Sequence, residues 1–299
     1  MLKRFRGSIM LLLAAIIWGT AFVAQSKGMD YVEPFTYNSI RTLIGGIALF
    51  PVNAVLSKRS SLHSVTHRKV SIIGGICCGI ILFAASSFQQ LGISMTTAGK
   101  AGFITALYVI IVPVSGLFFG KRPHIKIWVC AAVAVAGFYL LCVKKHFTIS
   151  DGDIYVLISA FFYAFHIIAI DYFNARKADC MLMSCIQFFT AGTIMAICMF
   201  IFEAPSLENV LEARYTILYT GIMSCAVAYT LQIAGQKYTE PSVATLIMSL
   251  ESVFAALSGW LILHEKLSIR EIIGCIFVFS AVIAAQYERK NKEKDLFSH

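Results

Sequence analysis

The chain has 299 residues, of which 58% are hydrophobic and only 14% are charged, and its formal net charge is +9. Soluble domains carry about 25% charged residues. This composition therefore excludes a disordered chain and a small disulfide-rich domain, and it argues against an ordinary soluble enzyme. It is typical of a helical protein that crosses a membrane several times.

Long runs without Asp, Glu, Lys or Arg follow one another along the chain. A helix that crosses the hydrocarbon core needs about 20 mostly apolar residues, and most of these runs have that length. The run 70–99 is too long for one span, and its polar residues from Gln89 to Thr97 predict a turn between two spans. The sequence therefore predicts an all-α polytopic membrane protein with ten transmembrane helices. The predicted helices are 8–27, 34–56, 70–92, 97–120, 126–143, 153–173, 180–202, 214–237, 241–264 and 269–287.

The basic residues of the short loops predict the orientation, because they concentrate on the cytoplasmic side of a membrane. With the N-terminus inside, 17 of the 25 Lys and Arg residues lie inside and 6 lie outside. We therefore expect a multi-pass protein of the plasma (bacterial cytoplasmic) membrane with both termini cytoplasmic. The basic residues are spread over several loops instead of one face, so nucleic acid is not an expected partner. The nine cysteines lie almost entirely within spans and form no CxxC motif, and no metal site is expected.

The two halves of the chain resemble each other. Each half holds five predicted spans, and an odd number means that the second half enters the membrane from the opposite side. The pattern predicts two inverted five-helix repeats, 8–143 and 153–287, which is a common architecture of secondary transporters. The matched segments pair 14–19 with 159–164, 88–92 with 231–235, and 97–108 with 241–252, the last at an offset of 144.

Several short motifs occur in a characteristic order. They are Ala-x-x-Trp-Gly at 15–19, Tyr-Val-Ile-Ile-Val-Pro at 108–113, Gly-Lys-Arg-Pro at 120–123, the apolar run around Glu251 at 244–257, and His-Glu-Lys-Leu at 264–267. In this order the chain resembles the two EamA repeats of the drug/metabolite transporter superfamily. The resemblance implies a ten-helix bundle and the export or exchange of small metabolites such as amino acids. It does not select one substrate.

Ionisable residues at membrane depth are candidates for function, because placing a charge in lipid costs about 3 kcal/mol or more. Glu251 lies near the middle of a span, where it could bind a substrate amine, carry a proton or serve as a buried structural carboxylate. Arg41 could attract an anionic group, pair with Glu251 or reach the interface. For His166, a proton relay and a hydrogen-bonded core residue are both open.

Polar and aromatic residues at helical spacing predict a cavity inside the bundle, since such groups are costly when they face lipid. Pro113 is expected to kink its span near Val109 and is the candidate hinge. The candidates for substrate binding or coupling are Glu251, Arg41, His166, Trp18, Gln25, Gln89, Tyr163, Tyr229 and Gln232.

The sequence favours a secondary transporter that exports or exchanges a small solute by alternating access. The expected partners are a small-molecule substrate, the lipid bilayer, and protons or another ion for coupling. No cofactor and no enzymatic activity are expected, and the chain could be a monomer or a homodimer. The alternatives are a membrane scaffold or receptor and an intramembrane enzyme, although the zinc-protease pattern fails where Ser268 follows His264 and Glu265.

Overall fold

The computed structural model describes residues 2–59, 65–118, 120, 123–142, 150–262 and 268–296. Within these ranges all regular structure is helical and no strand occurs, as the sequence predicts. Lipid offers no hydrogen-bond partners to the backbone, and a helix pairs its own N–H and C=O groups internally. In chain order the helices are α1 (Leu2–Gly28), α2 (Pro34–Arg59), α3 (Val65–Met95), α4 (Ala98–Thr105), α5 (Tyr108–Phe118), α6 (Ile125–Cys142), α7 (Asp151–Ala175), α8 (Cys180–Phe202), α9 (Leu207–Glu212), α10 (Arg214–Tyr219), a π-helical segment (Thr220–Tyr229), α11 (Thr230–Gln236), α12 (Pro241–Met248), α13 (Glu251–Ile262) and α14 (Ile269–Leu296).

The predicted spans are found as helices or pairs of helices. Among the described residues, eight helical stretches are long and apolar enough to cross a membrane, and a shorter apolar helix covers Ile125–Leu141. The helix α2 is long enough to span but is not among the eight. The ten predicted helices therefore all have counterparts, although several begin and end elsewhere.

The turn predicted from the polar residues Gln89 to Thr97 forms only at the end of that segment. The helix continues through them to Met95, and the chain turns only at Thr96 and Thr97. The side chain of Thr97 accepts a hydrogen bond from the backbone N–H of Lys100 at 3.3 Å and so caps α4. The polar side chains stay helical because partners inside the bundle replace the water that a turn would need.

Two predicted spans are each broken into half-helices. One break lies at Ala106 and Leu107, and the other lies at Ser249 and Leu250. The last amide before each second half-helix bonds three residues back, Leu107 N to Ile104 O at 3.1 Å and Leu250 N to Ile247 O at 3.2 Å. The two half-helices α4 and α12 both have eight residues. The breaks are thus equivalent features of the two repeats.

The equivalent breaks correct the register that the sequence predicts for the two repeats. Their offset is 143 residues instead of 144, so Tyr108 is the counterpart of Glu251 and not of Ser252. The interruption lies at Ala106 and Leu107, just before Val109, and Pro113 lies within α5, so the kink expected near Val109 stays a prediction. The break before α13 has no proline nearby, so proline is not the common cause of the two interruptions.

The two repeats pack against each other through close helix crossings. The helix α3 packs on α7 and α8, while α1 packs on α13, α11 and the π-helical segment. A Cβ atom on Gly92 would lie 2.7 Å from the carbonyl oxygen of Gly152, and one on Gly7 would lie 2.9 Å from the carbonyl oxygen of Gly235. These pairs are related by the repeat, and each lets two backbones approach as closely as glycine allows.

The span predicted at 214–237 is not a uniform helix. Its central ten residues, Thr220–Tyr229, are π-helical, and this segment crosses α2 closely. A Cβ atom on Gly221 would lie 2.9 Å from the carbonyl oxygen of Arg41. Segments of π-helix occur often at functional sites, and this one borders the cavity described below.

In the loop motifs of 120–123 and 264–267, only Gly120 and Pro123 belong to the described residues.

Candidate substrate cavity

A cavity lies inside the bundle, between helices of both repeats. Eight of the nine residues predicted to bind substrate or couple transport line this cavity, and His166 does not. Pro113, the hinge candidate, also lies outside the lining. The lining residues are Trp18, Phe22, Gln25, Arg41, Gln89, Thr105, Tyr108, Tyr163, Ile167, Ser224, Tyr229, Gln232, Met248 and Glu251.

Glu251 is the buried acid of the cavity and the first residue of α13. Its side chain is buried, and its Oε1 accepts a hydrogen bond from the hydroxyl group of Tyr108 at 3.0 Å. Because Tyr108 is the first residue of α5, this bond joins the two helix breaks of the two repeats. Among the described residues, Oε2 has no protein hydrogen bond, so this oxygen can accept one from a bound solute.

Arg41 is the buried base of the cavity. Its Nε donates to Oδ1 of Asn38 at 2.8 Å, and its guanidinium carbon lies 5.7 Å from the ring centre of Tyr37. The possible ion pair with Glu251 does not form, since no ion pair joins these two residues in the described chain. In the described part of the chain, the cavity therefore holds one basic and one acidic side chain, each hydrogen-bonded to a neutral neighbour.

Tyr163 is the centre of a hydrogen-bond network that links several helices. Its hydroxyl donates to Oε1 of Gln89 at 2.9 Å and lies 3.3 Å from the hydroxyl of Ser86. Gln89 in turn donates to the hydroxyl of Thr105 at 3.1 Å. The hydroxyl of Tyr229 lies 3.5 Å from that of Tyr163. The network connects α3, α4, α7 and the π-helical segment around one wall of the cavity.

Aromatic rings form another part of the lining. The rings of Trp18 and Tyr229 meet edge to face with centroids 4.9 Å apart. The indole N–H of Trp18 donates to the backbone carbonyl of Ser224 at 3.4 Å, inside the π-helical segment. Edge-to-face contacts and a satisfied N–H hold such a ring in one orientation. This wall is thus a fixed apolar surface beside the polar network.

His166 belongs to a neighbouring contact instead of the cavity. Its Nε2 lies 3.1 Å from Oε1 of Gln187, and its ring packs edge to face on Tyr229 at 5.9 Å. Tyr163 and His166 are three residues apart, which separates them by about 60° around a helix. That rotation turns His166 towards α8 while Tyr163 faces the cavity.

Lys100 forms an ion pair that the sequence does not reveal. Its Nζ lies 2.6 Å from Oδ2 of Asp153, whose side chain is only 4% exposed. Thr96 donates to the other carboxylate oxygen at 2.8 Å, and the backbone N–H of Ser150 donates to Oδ2 at 2.9 Å. This cluster ties the start of α4 to the start of α7 and lies outside the cavity lining.

Several lining residues are absent from the predicted set. Tyr108 would have been found if the repeat had been aligned at an offset of 143, because it then falls on Glu251. Phe22 shares a helix face with Trp18 and Gln25, so spacing alone points to it. The others have no distinctive sequence signal: Thr105, Ile167, Ser224 and Met248.

The donor set of the site suits an organic solute better than a metal ion. In the part of the chain that the structure describes, no group of three or more His, Cys, Asp or Glu side chains could hold a metal. The cavity offers a guanidinium, a carboxylate, amide groups and aromatic faces. Such a set can bind a small molecule with both charged and apolar parts.

Comparison with known proteins gives a consistent result for both repeats. Residues 5–143 and 150–285 each match the profile of the EamA-like transporter family. A protein of Archaeoglobus fulgidus named as an uncharacterized transporter is 30% identical over 282 residues, which cover 94% of this chain and 86% of that protein. The transporter YoaV of Bacillus subtilis, also named as uncharacterized, is 23% identical over 88% of this chain and 90% of its own length.

Two further matches have the same extent. Protein PecM of Dickeya dadantii is 24% identical over 95% of this chain and 94% of its own length. One solved crystal structure, described only as that of a protein, superimposes on this chain with a TM-score of 0.76 at 18% sequence identity. The superposition covers 96% of this chain and 98% of the chain in that structure. The structural match shows a shared fold over nearly the whole chain.

Proposed function

This chain belongs to the EamA-like transporter family, and we propose that it is a secondary transporter that exports or exchanges a small metabolite by alternating access. Its relatives are named as transporters, and the chain is a multi-pass membrane transporter. The observation that carries the finer proposal is the buried cavity between the two repeats, with Arg41 and Glu251 in its lining.

The energetic argument for a transport site rests on these two ionisable side chains. Both side chains are 4% exposed. A buried ion is costly when it lacks a charged partner, and Arg41 and Glu251 do not form an ion pair with each other. If the two side chains had only a structural role, we would expect them to form an ion pair that neutralises both charges. The arrangement instead supports two separate contacts for one solute.

We propose an amino acid or a drug-like solute as the substrate class. Glu251 offers an acceptor to an amine, or a site for a coupling proton, and the aromatic wall accepts an apolar part. Tyr163, Gln89, Gln232 and Gln25 supply hydrogen-bonding groups to the same space. His166 would affect the solute indirectly, through its contact with the lining residue Tyr229.

The helix breaks support the alternating-access part of the proposal. Broken helices near the middle of a membrane protein expose backbone groups to a substrate and divide a span into two separately movable halves. Here the breaks meet at the Tyr108–Glu251 hydrogen bond. We propose that this junction, with α5 and its Pro113 on one side, is where the first repeat (8–143) moves against the second (153–287).

We also propose that the chain spans the plasma membrane with both termini in the cytoplasm and acts without catalysing a chemical reaction. The distribution of basic loop residues supports this orientation. A reporter fused to the C-terminus is expected to be active only on the cytoplasmic side, and activity on the opposite side would contradict the orientation.

The test of the transport proposal is Glu251→Gln in proteoliposomes. The substitution keeps the side-chain size and a hydrogen-bond acceptor for Tyr108 but removes the charge. We expect loss of transport, or loss of its pH dependence, with normal membrane insertion. Glu208→Gln on the exposed helix α9 is the control and should behave like the parent. Unchanged transport and pH dependence in Glu251→Gln would refute the assignment of Glu251.

A further inference from the structure

Only one of the three guanidinium nitrogens of Arg41 has a hydrogen bond to a described residue. Its side chain is 4% exposed and lines the cavity. Nε donates to Asn38, but neither terminal nitrogen has a hydrogen bond to any residue that the structure describes. An arginine carries four N–H groups on those two nitrogens. Because Arg41 lines the cavity, its free edge can donate to an acceptor that binds there.

Asn38 determines which edge of Arg41 stays free. It is completely buried and lies one helical turn before Arg41. Its Oδ1 accepts from Arg41 Nε at 2.8 Å, and its Nδ2 donates to the backbone carbonyl of Ser86 on α3 at 2.9 Å. Both ends of the amide are therefore used, and its orientation is fixed by the neighbouring helix. Asn38 occupies the Nε side of the guanidinium and leaves the two terminal nitrogens for a ligand.

We infer that Arg41, held by Asn38, forms a subsite for the carboxylate group of the transported solute. The free edge of a guanidinium presents two parallel N–H groups, which match the two oxygens of a carboxylate. Asn38 is a positioning residue, since it acts through Arg41. This inference rests on the proposed transport function and deepens it by naming one chemical group of the substrate.

The charges of the cavity select a carboxylate over a phosphate. Among the described residues, Arg41 is the only basic one in the lining, and Glu251 already contributes an acid. A solute with one carboxylate and one amine keeps the charges of the cavity balanced, whereas a phosphate dianion would leave excess negative charge in a buried space. Two further lining atoms, Oε1 of Gln25 and Oε1 of Gln232, are buried acceptors without a partner among the described residues. These atoms favour hydrogen-bond donors elsewhere on the solute.

The experiment compares probes that differ only in the carboxylate. Purified full-length protein is titrated with L-phenylalanine, L-leucine and the two corresponding amides, and affinity is measured from ligand-dependent thermal stabilisation. The parent is expected to bind at least one carboxylate about tenfold more tightly than its amide, because a charge-assisted hydrogen bond contributes at least that much. If no carboxylate in this panel binds more tightly than its amide, the inference is wrong.

Variants separate the subsite from general stability. Arg41→Lys keeps the charge but removes the two parallel donors, and it should reduce the preference for carboxylate over amide. Asn38→Asp keeps the acceptor for Nε and adds a competing carboxylate, so it should weaken binding of L-phenylalanine without weakening its amide. Arg176→Lys, an exposed arginine packed on Tyr172, is the control and should retain the parental preference.

A purely structural role for Asn38 predicts a different pattern. Asn38→Ala and Asn38→Asp would then lower the affinity for acid and amide alike, and that outcome overturns the positioning role. If Asn38→Ala does not fold, the Arg41→Lys and Asn38→Asp results decide the question. Exchange of labelled solutes by proteoliposomes without carboxylate preference would refute the subsite and leave the transport proposal standing. Absence of any solute movement would refute the transport proposal itself.

Discussion

Substitution of Gly19 by alanine tests whether the contact between α1 and α13 determines the shape of the cavity. A Cβ atom at this position would lie 2.5 Å from Cβ of Phe254, 2.7 Å from the carbonyl oxygen of Glu251 and 2.8 Å from the amide nitrogen of Ala255. Two of these atoms belong to the backbone and cannot rotate away. The added methyl group must therefore push the two helices apart.

The size of the effect follows from two opposing terms. Overpacking of a tight contact costs about 1–3 kcal/mol, while replacing glycine by alanine in a helix gains about 1 kcal/mol. Gly102→Ala is the matched control, because its Cβ atom would meet only Oγ of Ser252 at 3.8 Å and Cε2 of Phe22 at 4.0 Å. The helix gain is common to both variants, so Gly19→Ala should be less stable than Gly102→Ala by about 1–3 kcal/mol.

The assay is unfolding of the two variants and the parent in the same detergent, followed by transport in proteoliposomes. Gly102→Ala is expected to match or exceed the stability of the parent. Gly19→Ala should unfold earlier and transport more slowly, because Trp18 and Glu251 on either side of the contact both line the cavity. Equal stability of the two alanine variants would refute the steric argument.

Two further predictions concern polar contacts. Lys100→Met should lower the free energy of unfolding by about 1–3 kcal/mol, because it leaves the carboxylate of Asp153 buried without its ion pair. Lys27→Met, whose own ion pair is exposed, should cost less than about 1 kcal/mol, and equal losses would contradict the role of burial. Tyr163→Phe removes the hydroxyl at the centre of the network and should slow transport in proteoliposomes. Tyr155→Phe on the same helix serves as its control, and an equal decrease in both would exclude a specific role for that hydroxyl.

The spans could be predicted because their signal is local. Hydrophobic length and charge-free runs suffice to find ten helices, and helical spacing suffices to place Trp18 and Gln25 on one face. The half-helix breaks could not be found in this way, since the one before Glu251 has no proline. The sequence alignment of the two repeats was also wrong by one residue at these breaks. For this reason it did not reveal that Tyr108 and Glu251 are counterparts.

Contacts between distant segments account for most of what the sequence did not show about the cavity. The ion pair of Lys100 joins residues 53 positions apart, so no spacing rule links them. Arg41 and Glu251 could be identified as buried charges from their positions in spans. Only the three-dimensional arrangement shows that Asn38 and Tyr108 hold them, and that they do not pair with each other.

The hydrogen bond between Tyr108 and Glu251 has a consequence for the origin of the chain. The two residues are counterparts in the two repeats, so a duplicated gene with identical halves would place the same side chain at both positions. Two glutamates in contact would repel each other when ionised, and two tyrosines would leave the cavity without its acid. The hydrogen bond between a tyrosine hydroxyl and a carboxylate thus depends on a difference between the two repeats at this position.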